Sequence, residues 1–165
     1  MNRKPKITIV GAGGYVFPLR LAVDILSFPE LCDSVLHLHD IRADRLERTR
    51  SLISGLVKRH RLPTRLAAGT DRKAALDGAD YVIVAFQVGG VEAYRHDVQI
   101  PRKFGLDQCV GDTLGPGGVF RGLRSLGALR RIASDMKALS PQGLILQYAN
   151  PMSINCWGTS SLGIK

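Results

Sequence analysis

What most constrains this chain is its first strand and the turn that ends it. Lys6–Val10 (Lys-Ile-Thr-Ile-Val) is a β-rich apolar run that breaks off in Gly11-Ala12-Gly13-Gly14, and a segment with helical spacing follows. Strand, glycine turn and helix in that order predict the opening of a parallel α/β sheet. The first glycine permits the tight turn, and the second lets the backbone approach a pyrophosphate at a helix N-terminus. The third glycine of the full G-x-G-x-x-G pattern would fall at Val16, so the match is partial.

The alternation continues downstream. Residues 19–28 carry helical apolar spacing, with Leu19, Ala22, Val23 and Leu26 on one side and Pro29 closing the helix. Residues 34–38 read as a second strand, 42–60 as a basic helix and 64–68 as a short third strand. Residues 71–76 form a short helix stopped by Gly78. Residues 80–86 (Asp-Tyr-Val-Ile-Val-Ala-Phe) are nearly continuous in apolar residues, as a buried parallel strand requires. Residues 87–118, rich in Gly and Pro, read as a long irregular connection with a short helical stretch around 97–104. A helix over 119–139, a strand over 143–148 and a helix after Asn150-Pro151 complete the chain.

This order predicts a Rossmann-like, doubly wound parallel sheet with right-handed crossovers. Five strands are counted where the complete fold has six, and the last helix has nothing left to pack. Residues 1–165 are therefore expected to be an N-terminal NAD-binding domain, truncated before the sixth strand and a second domain. An apolar surface around Tyr148, Met152 and Trp157 is expected to be uncovered beside that edge.

A length of 165 residues suits one domain, and 45% hydrophobic with 22% charged residues excludes a disordered chain. The longest apolar run is only a few residues, so no membrane span is expected. The basic start and the apolar stretch 7–14 are too short for an export signal, with Arg20 and Asp24 following soon after. Cys32, Cys109 and Cys156 lie far apart with no CxxC, which fits a reducing cytosol rather than disulfides or zinc.

The net charge of +9 lies largely on residues 42–61 and 121–137. No aromatics interleave with the first of these, and Asp44 with Arg48 makes an i,i+4 pair. Both stretches read as solvated helix faces, with no nucleic-acid partner.

Ligands of such sheets sit at the carboxyl ends of the strands, where Gly11, Gly13, Asp40, Gln87 and Asn150 fall. Asp40, after the second strand, can take both ribose hydroxyls and repel a 2′-phosphate, a preference for NAD that Arg42 softens. Its alternative is to cap the following helix. Gly111-Asp112-Thr113-Leu114-Gly115-Pro116-Gly117-Gly118 sets Asp112 and Thr113 beside a fixed turn, ahead of a helix whose dipole points back at them. The Asn150 amide can meet a polyol or start an Asx turn. Cys156 and Trp157 read as packing. His37 and His39 share one side of a strand and read as hydrogen-bonded strand-end residues rather than metal ligands.

Residues 7–13 (Ile-Thr-Ile-Val-Gly-Ala-Gly), 38–41 (Leu-His-Asp-Ile), 84–90 (Val-Ala-Phe-Gln-Val-Gly-Gly), 111–124 (Gly-Asp-Thr-Leu-Gly-Pro-Gly-Gly-Val-Phe-Arg-Gly-Leu-Arg) and 148–155 (Tyr-Ala-Asn-Pro-Met-Ser-Ile-Asn) together carry a resemblance. The ordered set resembles glycoside hydrolase family 4, and within it the α-galactosidase (melibiase) branch. Gly14 stands where a Ser is usual, and Gly127 where a Pro often occurs.

The resemblance implies an exception to two-carboxylate glycoside hydrolysis. NAD⁺ takes a hydride from sugar C3, and a divalent metal, usually Mn²⁺, polarises the carbonyl. A Tyr base then removes the C2 proton, the aglycone is eliminated, water adds and the hydride returns. Gly11, Gly13 and Asp40 match its cofactor positions, with Gln87 beside them at a strand end. Asn150 matches a substrate-binding residue, and Asp112 an acid that raises the basicity of the catalytic Tyr.

The metal ligands match nothing in this chain. The family's Gly-x-Cys-His segment would follow Lys165, and Cys156 is too close to Asn150 to replace it. The chain is then the cofactor half of a cytoplasmic, homo-oligomeric enzyme acting on a small glycoside, and is inactive alone. A non-catalytic dinucleotide-binding module is the other reading. The cofactor half of a 2-hydroxy-acid dehydrogenase is a third, against which the loop 112–118 argues.

Overall fold

The computed structural model describes residues 4–108 and 110–164; Met1 to Arg3, Cys109 and Lys165 lie outside them. The chain forms β1 (Lys6–Val10), α1 (Phe17–Ser27), β2 (Val35–His39), α2 (Ala43–Arg59), β3 (Arg65–Gly69), α3 (Arg72–Leu76), β4 (Tyr81–Val84), α4 (Gly90–Arg102), α5 (Gly115–Leu139), β5 (Leu144–Gln147) and α6 (Met152–Ser161). Two compact units result. One takes the described residues through Phe86 with Asp135–Leu146, the other Gln87–Ser134 with the described residues from Gln147. Among the described residues no helix is long and apolar enough to cross a membrane.

The sheet has the order β3-β2-β1-β4-β5, and β1 pairs in parallel with both β2 and β4, as β2 does with β3. Register places Ile7 beside Leu36 and Ile9 beside Leu38 and Ile83. These side chains pack with Leu21, Ala22, Leu26, Leu46 and Ile53 of α1 and α2. The alternate positions face α3, where the buried Thr8 hydroxyl donates to the Ala75 carbonyl at 2.8 Å. Helices thus cover both faces, as a doubly wound sheet requires.

Local chemistry explains the element ends. Pro18 stands at the second position of α1, where its missing N–H is no loss. Asp71 caps α3 by accepting from the amides of Lys73 and Ala74. The buried face of α1 is Pro18, Leu21, Ala22 and Leu26. Val23, expected on that face, is exposed instead. Each residue turns an α-helix by about 100°, so the step from Ala22 to Val23 leaves the stripe that Pro18, Leu21 and Ala22 define.

The histidine reading also changes. His37 and His39 share the α3 face, but both ring nitrogens of His39 are buried without a well-formed hydrogen bond among the described residues, the Thr70 backbone giving the ring partial support. Burial holds the pKa of both rings low, that of His37 at about 4, with the Lys6 and His39 charges lowering it further.

In the second unit, the stretch read as mostly irregular contains α4, thirteen residues long. Asp97 and Pro101, four apart, are its buried positions, and Pro101, in the last turn, supplies no amide to the Asp97 carbonyl. Asp97, 1% exposed, accepts a two-pronged hydrogen bond from Arg124 of α5. Helix α5 begins at Gly115, four residues before the expected Val119, since Pro116 fits a first turn.

The last helix is not left without a partner. A Cβ on Gly122 of α5 would meet Ile154, and one on Gly158 would meet Leu126, so small residues let α5 and α6 approach closely. That geometry turns Trp157 outward, 81% exposed, and leaves Cys156 exposed as well. The packing reading of those two residues therefore fails, while Tyr148, Met152 and Trp157 are exposed, as the expected uncovered apolar surface has them.

Candidate functional site

The glycine turn stands at the carboxyl ends of β1 and β4, the point where strand order reverses and ligands of such sheets bind. The amides of Gly11 and Ala12 both donate to the His39 carbonyl at 2.9 Å. Gly11 has φ +95, and a Cβ there would fall 2.8 Å from the Ala85 carbonyl and the Phe86 Cβ. Conformation and space both demand glycine.

Gly13 is held differently. Its amide donates to Asp40 Oδ2 at 2.8 Å, and a Cβ on it would sit 2.8 Å from that carboxylate and 2.9 Å from the Arg45 Cβ. Asp40 Oδ1 accepts from the Arg42 amide at 2.9 Å, just ahead of α2. Asp40 therefore braces the turn against the start of α2. A carboxylate offers about four acceptor sites, so two remain for other donors.

Three neighbours of this turn escaped the sequence reading. Arg48, expected to pair with Asp44, donates instead to the Gly13 carbonyl at 3.1 Å and lies 3.9 Å over the Tyr15 ring. Asp44 is taken by Arg42 in two hydrogen bonds of 3.0 Å each. Ile41, directly after Asp40, is 84% exposed, and Tyr15 is also exposed. An i,i+4 spacing favours a salt bridge, but a ring and a carbonyl within reach offered Arg48 more.

The second unit holds its own cluster. Asp112 Oδ1 accepts from the Thr113 hydroxyl at 2.8 Å, and Oδ2 accepts from Asn150 Nδ2 at 3.1 Å. Arg121 Nη1 lies 3.6 Å from Oδ2, and Arg121 Nε donates to the Asn150 backbone carbonyl at 3.1 Å. Burial pushes the Asp112 carboxyl up, but the hydrogen bonds from Asn150 and Thr113 and the Arg121 charge outweigh it. The net result lies below the usual carboxylate value.

Sequence reasoning placed Asp112 and Asn150 at candidate positions, and the fold joins them across 38 residues. It missed Arg121 and Gln108. Gln108 holds the loop by accepting from the Gly117 amide and donating to the Leu114 carbonyl, and lines an open hollow of about 450 Å³ with Val110 to Gly115. A Cβ on Gly117 would meet the Gly111 carbonyl and one on Gly118 that of Thr113, so these glycines serve close approach. Gln87 donates to the Gly90 carbonyl at 3.3 Å, at the entry to α4.

The donor set bears on cofactors. The turn, the half-engaged Asp40 and the exposed Ile41 fit a dinucleotide, with a glycine turn beside the phosphate, a carboxylate for ribose and an apolar face for a base. Among the described residues no three His, Cys, Asp or Glu side chains gather, so they form no complete ligand set for Mn²⁺.

Residues 6–162 match the sequence profile described as family 4 glycosyl hydrolase. The chain is 43% identical over 159 residues to an alpha-galactosidase of Rhizobium meliloti, covering 96% of this chain and 32% of that protein. It is 38% identical over 149 residues to an alpha-galactosidase of Bacillus subtilis, covering 90% and 34%. It is similar in structure to a 6-phospho-alpha-glucosidase from gut microorganisms, solved in complex with NAD and Mn²⁺. That likeness has a TM-score of 0.80 at 27% identity and covers 97% of this chain and 36% of the other. The chain spans about a third of the length of the curated relatives it matches.

Proposed function

Because the chain belongs to glycosyl hydrolase family 4, we propose that it is the dinucleotide-binding part of a cytoplasmic glycosidase. The enzyme acts on α-galactosides through reversible oxidation of the sugar rather than through two carboxylates. The observation that carries this reading is the glycine turn braced by Asp40 at the β1/β4 switch point. The α-galactosidase relatives and the NAD in the similar structure point the same way.

In this reading the pyrophosphate lies against the turn at 11–13, whose own amides are engaged within the protein, and the two remaining acceptor sites of Asp40 take the ribose hydroxyls. Ile41 offers the adenine an apolar face. The bound dinucleotide supplies the acceptor for a hydride from sugar C3. The Asp40 charge repels a 2′-phosphate, and Arg42, paired with Asp44 at the surface, offsets it only in part, so NAD is preferred over NADP.

Asn150 presents its side-chain carbonyl to a sugar hydroxyl while its amide engages Asp112. Asp112, an ionised carboxylate at neutral pH, raises the basicity of a neighbouring base through its negative charge. No proton-abstracting step and no metal step is assigned to residues of this chain.

The test is NAD⁺ binding by calorimetry to the 165-residue chain, alongside turnover of an aryl α-galactoside with NAD⁺, Mn²⁺ and reductant. Saturable NAD⁺ binding without turnover is the expected outcome. A folded chain that binds no NAD⁺ overturns the cofactor assignment, and turnover by this chain overturns the assignment of catalysis elsewhere.

A further inference from the structure

We propose that Arg121 is the positioning residue of the Asp112–Asn150 pair, tying the backbone of Asn150 to α5 while holding Asp112 as a carboxylate. The inference rests on the reading of Asp112 and Asn150 as site residues and adds a third member, Arg121, which the motif at 111–124 contains without a role.

The Arg121 side chain is 13% exposed, and a cation so far from water requires a counter-charge. It has one in Asp112, whose Oδ2 lies 3.6 Å from Nη1, within ion-pair range but longer than a hydrogen bond. Its directed hydrogen bond goes from Nε to the Asn150 carbonyl at 3.1 Å. One guanidinium thus spans the loop at 112, helix α5 and the corner at 150. The planar fork of arginine reaches two acceptors in fixed directions, which the point charge of lysine does not.

The groups facing Asp112 are Arg121 from α5, Asn150 from the corner after β5 and Thr113 from its own loop. Two of them donate hydrogen bonds and the third carries a positive charge, so every one favours the ionised form. Held in this way, Asp112 stays anionic through a catalytic cycle near neutral pH. It acts on a neighbouring base by its field and stores no proton.

The experiment follows the side-chain carboxyl of Asp112 by ¹³C NMR through a pH titration of the 165-residue chain. In the Arg121→Gln variant the Asp112 midpoint should rise by about one unit, the lower end for removing an opposite charge within 4–6 Å. Arg121→Lys should restore most of that shift by charge alone, which a purely structural role would not do. An unchanged midpoint in Arg121→Gln, or no restoration by lysine, overturns the proposal.

Should Arg121→Gln fail to fold, the wild-type chain still decides the matter. Its Arg121 Nε–H resonance should inflect at the Asp112 midpoint, and a resonance passing through that range without inflection refutes the pairing. These readouts involve neither sugar nor dinucleotide. Loss of the glycosidase reading would leave them intact, and their failure would leave that reading standing.

Discussion

Replacing Asp40 by alanine tests the cofactor site most directly. Two of the carboxylate's acceptor sites are occupied by the amides of Gly13 at 2.8 Å and Arg42 at 2.9 Å, leaving two for the adenosine ribose hydroxyls. A hydrogen bond to a charged acceptor contributes roughly 1.5–3 kcal/mol net. Taking the lower figure for both ribose bonds, the loss is about 3 kcal/mol, or roughly a hundredfold in NAD⁺ dissociation constant.

Alanine also removes the brace between the turn and α2, so part of any loss could come from a loosened turn. Nicotinamide mononucleotide lacks the adenosine ribose and serves as the control. Its affinity should change far less than that of NAD⁺. NADP⁺ should gain relative to NAD⁺, because the repelling charge is gone. Removing Asp44 as well should add only a little, since an exposed ion pair such as Arg42–Asp44 restrains the guanidinium weakly. Calorimetry on variants shown to be folded by circular dichroism reads all three ligands. Unchanged NAD⁺ affinity in a folded Asp40→Ala protein would reduce Asp40 to a brace for the turn.

Other expectations are independent of that one. Arg124→Met strands the buried Asp97 carboxylate and should destabilise the protein by roughly 3–5 kcal/mol in urea unfolding; a loss below about 1 kcal/mol would show that the pair is not structural. Ile41→Ser should leave the unfolding midpoint almost unchanged, because Ile41 is exposed, yet weaken NAD⁺ binding by about 1–2 kcal/mol of lost apolar contact. Stability should fall as pH drops from 6.5 toward about 4, because His37 and His39 bind protons more readily when unfolded than in their buried sites. This contribution is fully present above pH 6.5, and His37→Gln should flatten the dependence of the urea midpoint between about pH 7 and 5.

How much was legible in advance depended on how local the cause was. The parallel sheet could be read because a β-α-β alternation calls for parallel strands with right-handed crossovers and each strand announces itself by an apolar run. Helix α4 was misread because its buried positions are an aspartate and a proline, Asp97 and Pro101, which no hydrophobic period reveals. Arg48 and Arg121 were missed for a related reason. An arginine on a basic helix reads as a solvated charge until the fold brings an acceptor within its long reach.

The sequence by itself determined the strand–turn–helix that opens the chain, the glycines at 11 and 13 and the acid at 40. These follow from backbone geometry within a few residues or one crossover. Only the tertiary structure decided that Arg48 closes on Gly13, that Asn150 meets Asp112, and that Gly158 takes the helix contact with Leu126. Those outcomes depend on which distant groups share a volume and on what burial leaves for them to pair with. Neither quantity is a property of any short stretch of chain.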